Sequence, residues 1–375
     1  MTALLHDVDP DGLLEFSVVF TDRSLNHMSA AFQAVMREIS GMLKDVYAAD
    51  AVALVPGGGT FAMEAVARQF ATGETALVIR NGWFSYRWSQ IFEMGGIPAE
   101  EIVMPARRTG NDPQSPFAPA PVEEVVAKIR ETRPAVVFAP HVETSAGMIL
   151  PDDYIRAVTA AVHEVGGLFV LDCIASGCVW VDMADLGIDV VISAPQKGWS
   201  ASPSAGMVML SEAAREKATA RVSTSYAVDL GKWLAIMEAY ERGGHAYHAT
   251  MPTDALRGLR DTMLEMRDWG FERLKAAQWE QGERVRALLA SKGVRSVAAE
   301  GFRAPGVVVS YTDDPEVQAG RAFAQQGVQI AAGVPLQVGE GAEFRTFRIG
   351  LFGFDKLKDV NASVARLEVA LDQVL

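Results

Sequence analysis

Between about residue 50 and residue 210 the chain alternates short apolar runs with stretches of helical periodicity. Ala51–Val55, Thr75–Arg80, Ala135–Ala139, Gly167–Asp172 and Val190–Ser193 are rich in Val, Ile and Leu, the composition of strands buried on both faces. Between them, Thr60–Phe70, Ser85–Met94, Pro121–Glu131 and Asp152–Val165 carry apolar residues at helical spacing. Strands alternating with helices predict right-handed βαβ units and a mostly parallel sheet. Ligands of such sheets sit at the carboxyl ends of the strands, so chemistry belongs in the loops that follow them.

A second pattern runs from about Asp254 to Lys292. Leu256, Leu259, Met263, Met266, Leu274 and Leu288 recur at helical spacing and predict a stiff connection into a second lobe. That lobe has predicted strands near Val307–Tyr311, Val328–Ala331 and Thr346–Gly350, and a closing helix over Lys356–Val374. No flexible linker, internal repeat or low-complexity tract interrupts the chain.

Composition narrows the function more than the fold. The 375 residues suit two lobes of one α/β subunit, with 49% hydrophobic and 22% charged residues. A formal net charge of −13 argues against binding a nucleic-acid backbone. It does not exclude an anionic cofactor, because a local cluster of N–H groups outweighs distant charge. The N-terminal MTALLHDVDPDG lacks the basic segment and apolar core of a secretory signal, and no apolar run is long enough to span a membrane. The C-terminal ALDQVL is not a peroxisomal address. The expectation is a cytoplasmic enzyme. Cys173 and Cys178 share one apolar segment and suggest neither a disulfide framework nor a zinc site.

Lys197 follows the strand Val190–Ser193 in a loop of small residues, SAPQKGWSASPSAG. A lysine there can form an imine with a buried carbonyl if burial or another cation lowers its pKa; the alternative is a solvated surface lysine. Gln196 beside it is an uncharged donor for phosphate. Asp172 closes the run GGLFVLD, where a carboxylate is costly unless paired. A protonated pyridine nitrogen, as in pyridoxal 5′-phosphate (PLP), is one partner; a helix N-cap or a metal site is the alternative. The turn Pro56-Gly57-Gly58-Gly59-Thr60 joins a strand to a helix and can present N–H groups to an anion. It also satisfies a relaxed dinucleotide pattern, but the next strand ends in Arg80 and Asn81 rather than a ribose-binding acid. Arg80 leaves an NADP reading open.

Together these segments resemble the alanine–glyoxylate and serine–pyruvate aminotransferase group of class V, from about His27 to the C-terminus. The resemblance implies a PLP-dependent transferase of fold type I: an α/β large domain with a mostly parallel seven-stranded sheet between helices, and a smaller α+β C-terminal domain. The domains are expected over residues 16–255 and over residues 256–375 with 1–15. GGGTFAMEA resembles the phosphate cup, implying Gly58, Gly59 and Thr60 as phosphate ligands. In NGWFSYRW, Phe84 takes the place of the aromatic that stacks on the cofactor ring. HVETSAGM implies that Thr144 bonds the ring hydroxyl or its neighbours, and LDCIAS and SAPQKGW carry Asp172, Gln196 and Lys197. GGHAYHATMPT resembles a segment that crosses a homodimer, so that Tyr247 and Thr250 would bind the partner subunit's phosphate. FRIGLFG implies that Arg348 holds the substrate carboxylate.

The implied reaction is ping-pong transfer of an amino group from a small amino acid to a small 2-oxo acid such as glyoxylate or pyruvate. Asp172 would support the ring nitrogen and Lys197 would carry the proton, so His27, His141 and His248 are assigned to structure rather than catalysis. One segment departs from the family: FSVVFTDRSLNH, residues 16–27, lacks the usual Gly and Pro, and Val18–Arg23 is expected to reshape the pocket. Two other enzyme readings remain at this stage, a PLP-dependent lyase or desulfurase and an NADP-dependent oxidoreductase. A desulfurase needs a mobile reactive cysteine, whereas Cys173 and Cys178 read as buried thiols. A non-catalytic binding protein would not need Lys197, Asp172 and Arg348 together.

Overall fold

The computed structural model describes residues 7–375. Its main sheet has seven strands, in the order Ala51–Pro56, Ala205–Leu210, Val190–Ser193, Leu168–Asp172, Val136–Pro140, Thr75–Arg80 and Glu100–Pro105. From Val190–Ser193 to Glu100–Pro105 the neighbours pair in parallel. The central strands are buried along their whole length and their side chains form one core with the covering helices. The helices Gly59–Phe70, Trp83–Gly95, Val122–Thr132 and Asp152–Glu164 fall where periodicity predicts them.

Two strands of the main sheet lie outside the sequence-based reading, each for a physical reason. Ala205–Leu210 pairs antiparallel with both Ala51–Pro56 and Val190–Ser193. It follows Val190–Ser193 through a loop without a helix, and a parallel return needs a crossover of a dozen or more residues, usually helical. Glu100–Pro105 is an edge strand whose first two residues, Glu100 and Glu101, are exposed, so it lacks the apolar signature of its neighbours. A helix over Ala30–Tyr47 precedes the alternating region; Ser29 caps it, and Phe32, Val35, Met36, Ile39, Leu43 and Tyr47 are buried.

The helical stretch after Asp254 is two helices, Thr253–Trp269 and Phe271–Ser291, broken at Gly270 with φ 107°. Leu256, Leu259, Met263 and Met266 of the first helix belong to the large-lobe core, and Val285 and Leu289 of the second belong to the small-lobe core. The boundary expected at 255/256 therefore lies within a helix of the large core. Residues 1–6 of the segment grouped with the small domain lie outside the described residues, and Val8 packs on the large core. The small lobe has the antiparallel order Val307–Tyr311, Thr346–Gly350, Ala331–Ala332. The strand predicted at Val328–Ala331 is thus shorter and shifted. The closing helix divides at Asp359, whose side chain caps Val360–Val374 through the Ala362 N–H. No helix among the described residues is long and apolar enough to cross a membrane.

Candidate active site

Asp172 is the last residue of its strand, and Lys197 lies in the loop after the neighbouring Val190–Ser193. Asp172 is 7% exposed. Its Oδ1 accepts from the Ile174 N–H at 2.9 Å, and no other protein donor among the described residues reaches the carboxylate. Burial above all pushes its pKa up to about 7; the Glu143 charge adds to this, while the Ile174 N–H, Arg87 and Lys197 oppose it. Lys197 is pushed the other way. Burial, then the charge of Arg348, lowers its ammonium pKa, with Asp172 in partial opposition. Its Nζ lies 5.2 Å from the Phe352 ring centroid. A lysine so placed holds a neutral amine more readily than a surface lysine.

The glycine turn opens the helix Gly59–Phe70, whose first N–H groups have no partner within the helix. A Cβ at Gly59 would lie 2.5 Å from Ile174 Cδ1, so any larger residue would have to displace the Ile174 side chain at the Asp172 strand end. The Thr60 hydroxyl accepts a hydrogen bond from Arg87 Nη1 at 3.0 Å. The guanidinium of Arg87 lies 5.1 Å from the Phe84 ring centroid.

Phe84 lies in the first turn of the helix Trp83–Gly95, and a fully buried acid fixes this turn. Glu143 Oε1 accepts from Phe84 N–H at 3.1 Å, Ser145 N–H at 3.1 Å and the Ser145 hydroxyl at 2.7 Å. Its Oε2 accepts from Ser85 N–H at 2.9 Å and the Ser85 hydroxyl at 2.7 Å. Ser145 Oγ also accepts from Trp83 N–H at 2.9 Å. At Gly82 a Cβ would lie 2.1 Å from that same Oγ, which explains the glycine before the helix.

Arg348 enters from the small-lobe strand Thr346–Gly350. Its Nε donates to the Ala332 carbonyl at 2.8 Å, while its terminal nitrogens have no protein acceptor among the described residues. Its guanidinium lies 5.6 Å from the Phe84 centroid. Burial lowers its pKa, and the Glu143 charge opposes that. The unpaired, half-buried fork suits bidentate capture of a carboxylate.

Lys197, Asp172, Phe84, Arg348 and the Gly58–Thr60 turn therefore share one cleft. Thr144 is buried in the turn between Val142–Glu143 and Met148–Ile149, with its hydroxyl bonded to no described protein group. Gln196 is exposed beside Lys197. Tyr247 and Thr250 bond to each other at 3.2 Å, and Tyr247, 54% exposed, packs on His27 rather than entering this cleft. Val18, Asp22 and Arg23 are exposed.

The groups assigned to structure are held by packing. His141 is buried, its Nδ1 is 2.7 Å from Ser176 Oγ, and burial lowers its pKa to about 3. Burial lowers the pKa of His27 as well, and His248 Nε2 lies 2.7 Å from the Tyr226 carbonyl. Both cysteines are free and buried; burial raises Cys173 and pushes Cys178 up to about 12. Such thiols are poor nucleophiles.

Arg87, Glu143 and Phe352 escaped the sequence reading although each lies in a motif it used: NGWFSYRW, HVETSAGM and FRIGLFG. Their spacing within those motifs gives no sign of partners far away in the chain.

The chain is 28% identical over 352 residues to a soluble hydrogenase 42 kDa subunit of Anabaena cylindrica, spanning 92% of this chain and 87% of the relative. It is 29% identical over 361 residues to a 2-aminoethylphosphonate–pyruvate transaminase of Burkholderia thailandensis, spanning 93% and 89%. Among solved structures, an alanine–glyoxylate aminotransferase from Nostoc sp. superposes with a TM-score of 0.79 at 25% identity, covering 93% of this chain and 89% of that one. Residues 15–360 match the family model for class V aminotransferases, and the chain belongs to that PLP-dependent family.

Proposed function

We propose that the chain transfers an amino group from a small amino acid to a small 2-oxo acid such as glyoxylate or pyruvate, in two half-reactions of a ping-pong cycle. One observation carries this reading: a lysine with a lowered pKa lies close to a buried acid and to a guanidinium whose terminal nitrogens bond no described protein group. Asp172 provides the fit to PLP. It is a buried carboxylate with a single protein donor among the described residues, and a ring N–H would complete it. Gly58, Gly59 and Thr60 would hold the phosphate with Gln196, Phe84 would face the ring, and Thr144 would bond the ring hydroxyl or its neighbours.

Bound PLP supplies a carbonyl carbon for amines and a protonated ring that takes up an electron pair. Lys197, whose ammonium pKa is lowered by burial and by the Arg348 charge, would take the proton from the Cα of the bound amino acid. Arg348 grips the substrate carboxylate and fixes which Cα bond faces Lys197. The two buried thiols argue against a desulfurase. The exposed pair Tyr247 and Thr250 supports a homodimer in which each subunit completes its partner's phosphate site. The acidic composition suits a cytoplasmic protein without nucleic-acid partners.

The test is Lys197→Ala, assayed with a panel of amino donors and oxo-acid acceptors while the cofactor spectrum is followed. The variant is expected to lose turnover and the absorbance of lysine-bound PLP together. Full activity in the variant would sink the reading. A wild-type preference for large or cationic donors would refute the proposed substrate class alone.

A further inference from the structure

We propose that Arg87 is a cationic ligand of the cofactor phosphate, an assignment that rests on the Gly58–Thr60 turn being the phosphate site. A phosphate monoester carries about −1.5 to −2 charge near neutral pH. Every group so far assigned to it is neutral: backbone N–H groups, the Thr60 hydroxyl, the Gln196 amide and, across the proposed homodimer, the hydroxyls of Tyr247 and Thr250. The chain as a whole has a net charge of −13, so nothing at long range offsets that anion.

Arg87 is the cation in the right place. Its Nη1 donates to Thr60 Oγ1 at 3.0 Å, which leaves the Thr60 O–H free to point into the turn. The guanidinium is half-buried and pairs with no carboxylate among the described residues. Its other N–H groups also have no protein acceptor among them. Its charge reaches Asp172 and Lys197, so it lies along the wall where the cofactor would lie.

Two arginines flank Phe84, and their anchors separate their tasks. Arg348 is tied to the small lobe through Ala332 and lies 5.6 Å from the ring centroid. Arg87 is tied to the glycine turn through Thr60 and lies at 5.1 Å. The small-lobe arginine faces substrate, and the large-lobe arginine faces phosphate.

The experiment titrates the apoenzyme with PLP and, separately, with pyridoxal, which has the same ring and aldehyde but no phosphate. Tryptophan fluorescence reads both affinities. Arg87→Gln is expected to weaken PLP binding by about 10- to 100-fold, the loss of a charge-assisted contact, and pyridoxal binding by less than about threefold. Arg87→Lys, which keeps the charge but loses the fork, should lose only a few-fold for PLP, and it serves if the Gln variant does not fold. Inorganic phosphate should compete with PLP on the wild type and compete less well on either variant. Equal losses for PLP and pyridoxal would assign Arg87 to the Phe84 ring instead and overturn the proposal. Unchanged PLP affinity would overturn it while leaving the Lys197 site intact, whereas a wild type that binds neither compound would remove both readings.

Discussion

Two buried acids lie at neighbouring places in this cleft, and they are treated in opposite ways. Glu143 receives three backbone N–H groups and two serine hydroxyls. Asp172 receives one backbone N–H and is pushed up to about 7 by burial. The protein completes the first carboxylate by itself and leaves the second short of donors. Burial alone does not mark a functional acid; the unfilled hydrogen-bonding capacity does. Glu143 is a fastener for the Phe84 turn, and Asp172 is a receptor.

The largest expected effect comes from making Asp172 neutral. Asp172→Asn should lower the half-reaction rate by roughly 100- to 1,000-fold, because a charge that stabilises the protonated ring is lost. The stability of the apoenzyme should move the other way. The unfolded carboxyl releases its proton near pH 4 and the folded one near pH 7. Between those values the folded state binds the extra proton, so wild-type stability falls as pH rises through that window and stays low above it. The Asn variant does not titrate there. It should be more stable than wild type above pH 7, by up to about 4 kcal/mol, with the difference fading below pH 4. Apoenzyme melts across pH decide it: a variant less stable than wild type at pH 8 would mean that Asp172 is already satisfied.

Glu143 should respond with the opposite sign. Glu143→Ala strands donors from Phe84, Ser85 and Ser145 in a fully buried place, and should cost about 3–5 kcal/mol in the apoenzyme. Glu143→Gln keeps the volume but turns an NH2 toward donors on one side, so it should fall between Ala and wild type. Denaturant unfolding of the three proteins gives the order. If Glu143→Ala melted like the wild type, the contrast between fastener and receptor would collapse.

The contrast also shows what sequence could reveal. Asp172 was legible because a carboxylate ends an apolar strand, Lys197 because it follows the adjacent strand, and Arg348 because it lies in a motif of the small lobe. These clues are local. Glu143 sits one residue before Thr144, yet its donors at Phe84 and Ser85 come from an earlier βα unit, and no periodicity records such a bond. Arg87 is hidden similarly, since its partner Thr60 lies a whole βα unit earlier. The fold follows the same rule. Buried strands declare themselves by composition, whereas the edge strand Glu100–Pro105 and the antiparallel Ala205–Leu210 depend on where the sheet ends and on a loop too irregular to cross over.

The smallest effect tests the one donor to Asp172 among the described residues. Ile174 supplies that N–H, and its side chain fills the space beside Gly59. Gly59→Ala would place a methyl 2.5 Å from Ile174 Cδ1, and relieving that overlap should cost about 1–3 kcal/mol. If the strain is relieved by moving Ile174, its N–H leaves Asp172, and the apoenzyme's loss of stability with rising pH should extend above pH 7. If it is relieved by moving the glycine turn, the pH window stays and phosphate binding weakens instead. Ile174→Ala removes both the Cδ1 and the Cγ1 (2.9 Å) that cause the overlap, so the double variant should recover to within about 1 kcal/mol of the Ile174→Ala single variant. Melting the single and double variants at pH 5 and pH 8 separates these outcomes. Additive losses would show that Gly59 and Ile174 do not press on each other, and that the Asp172 end of the cleft is set by the strand alone.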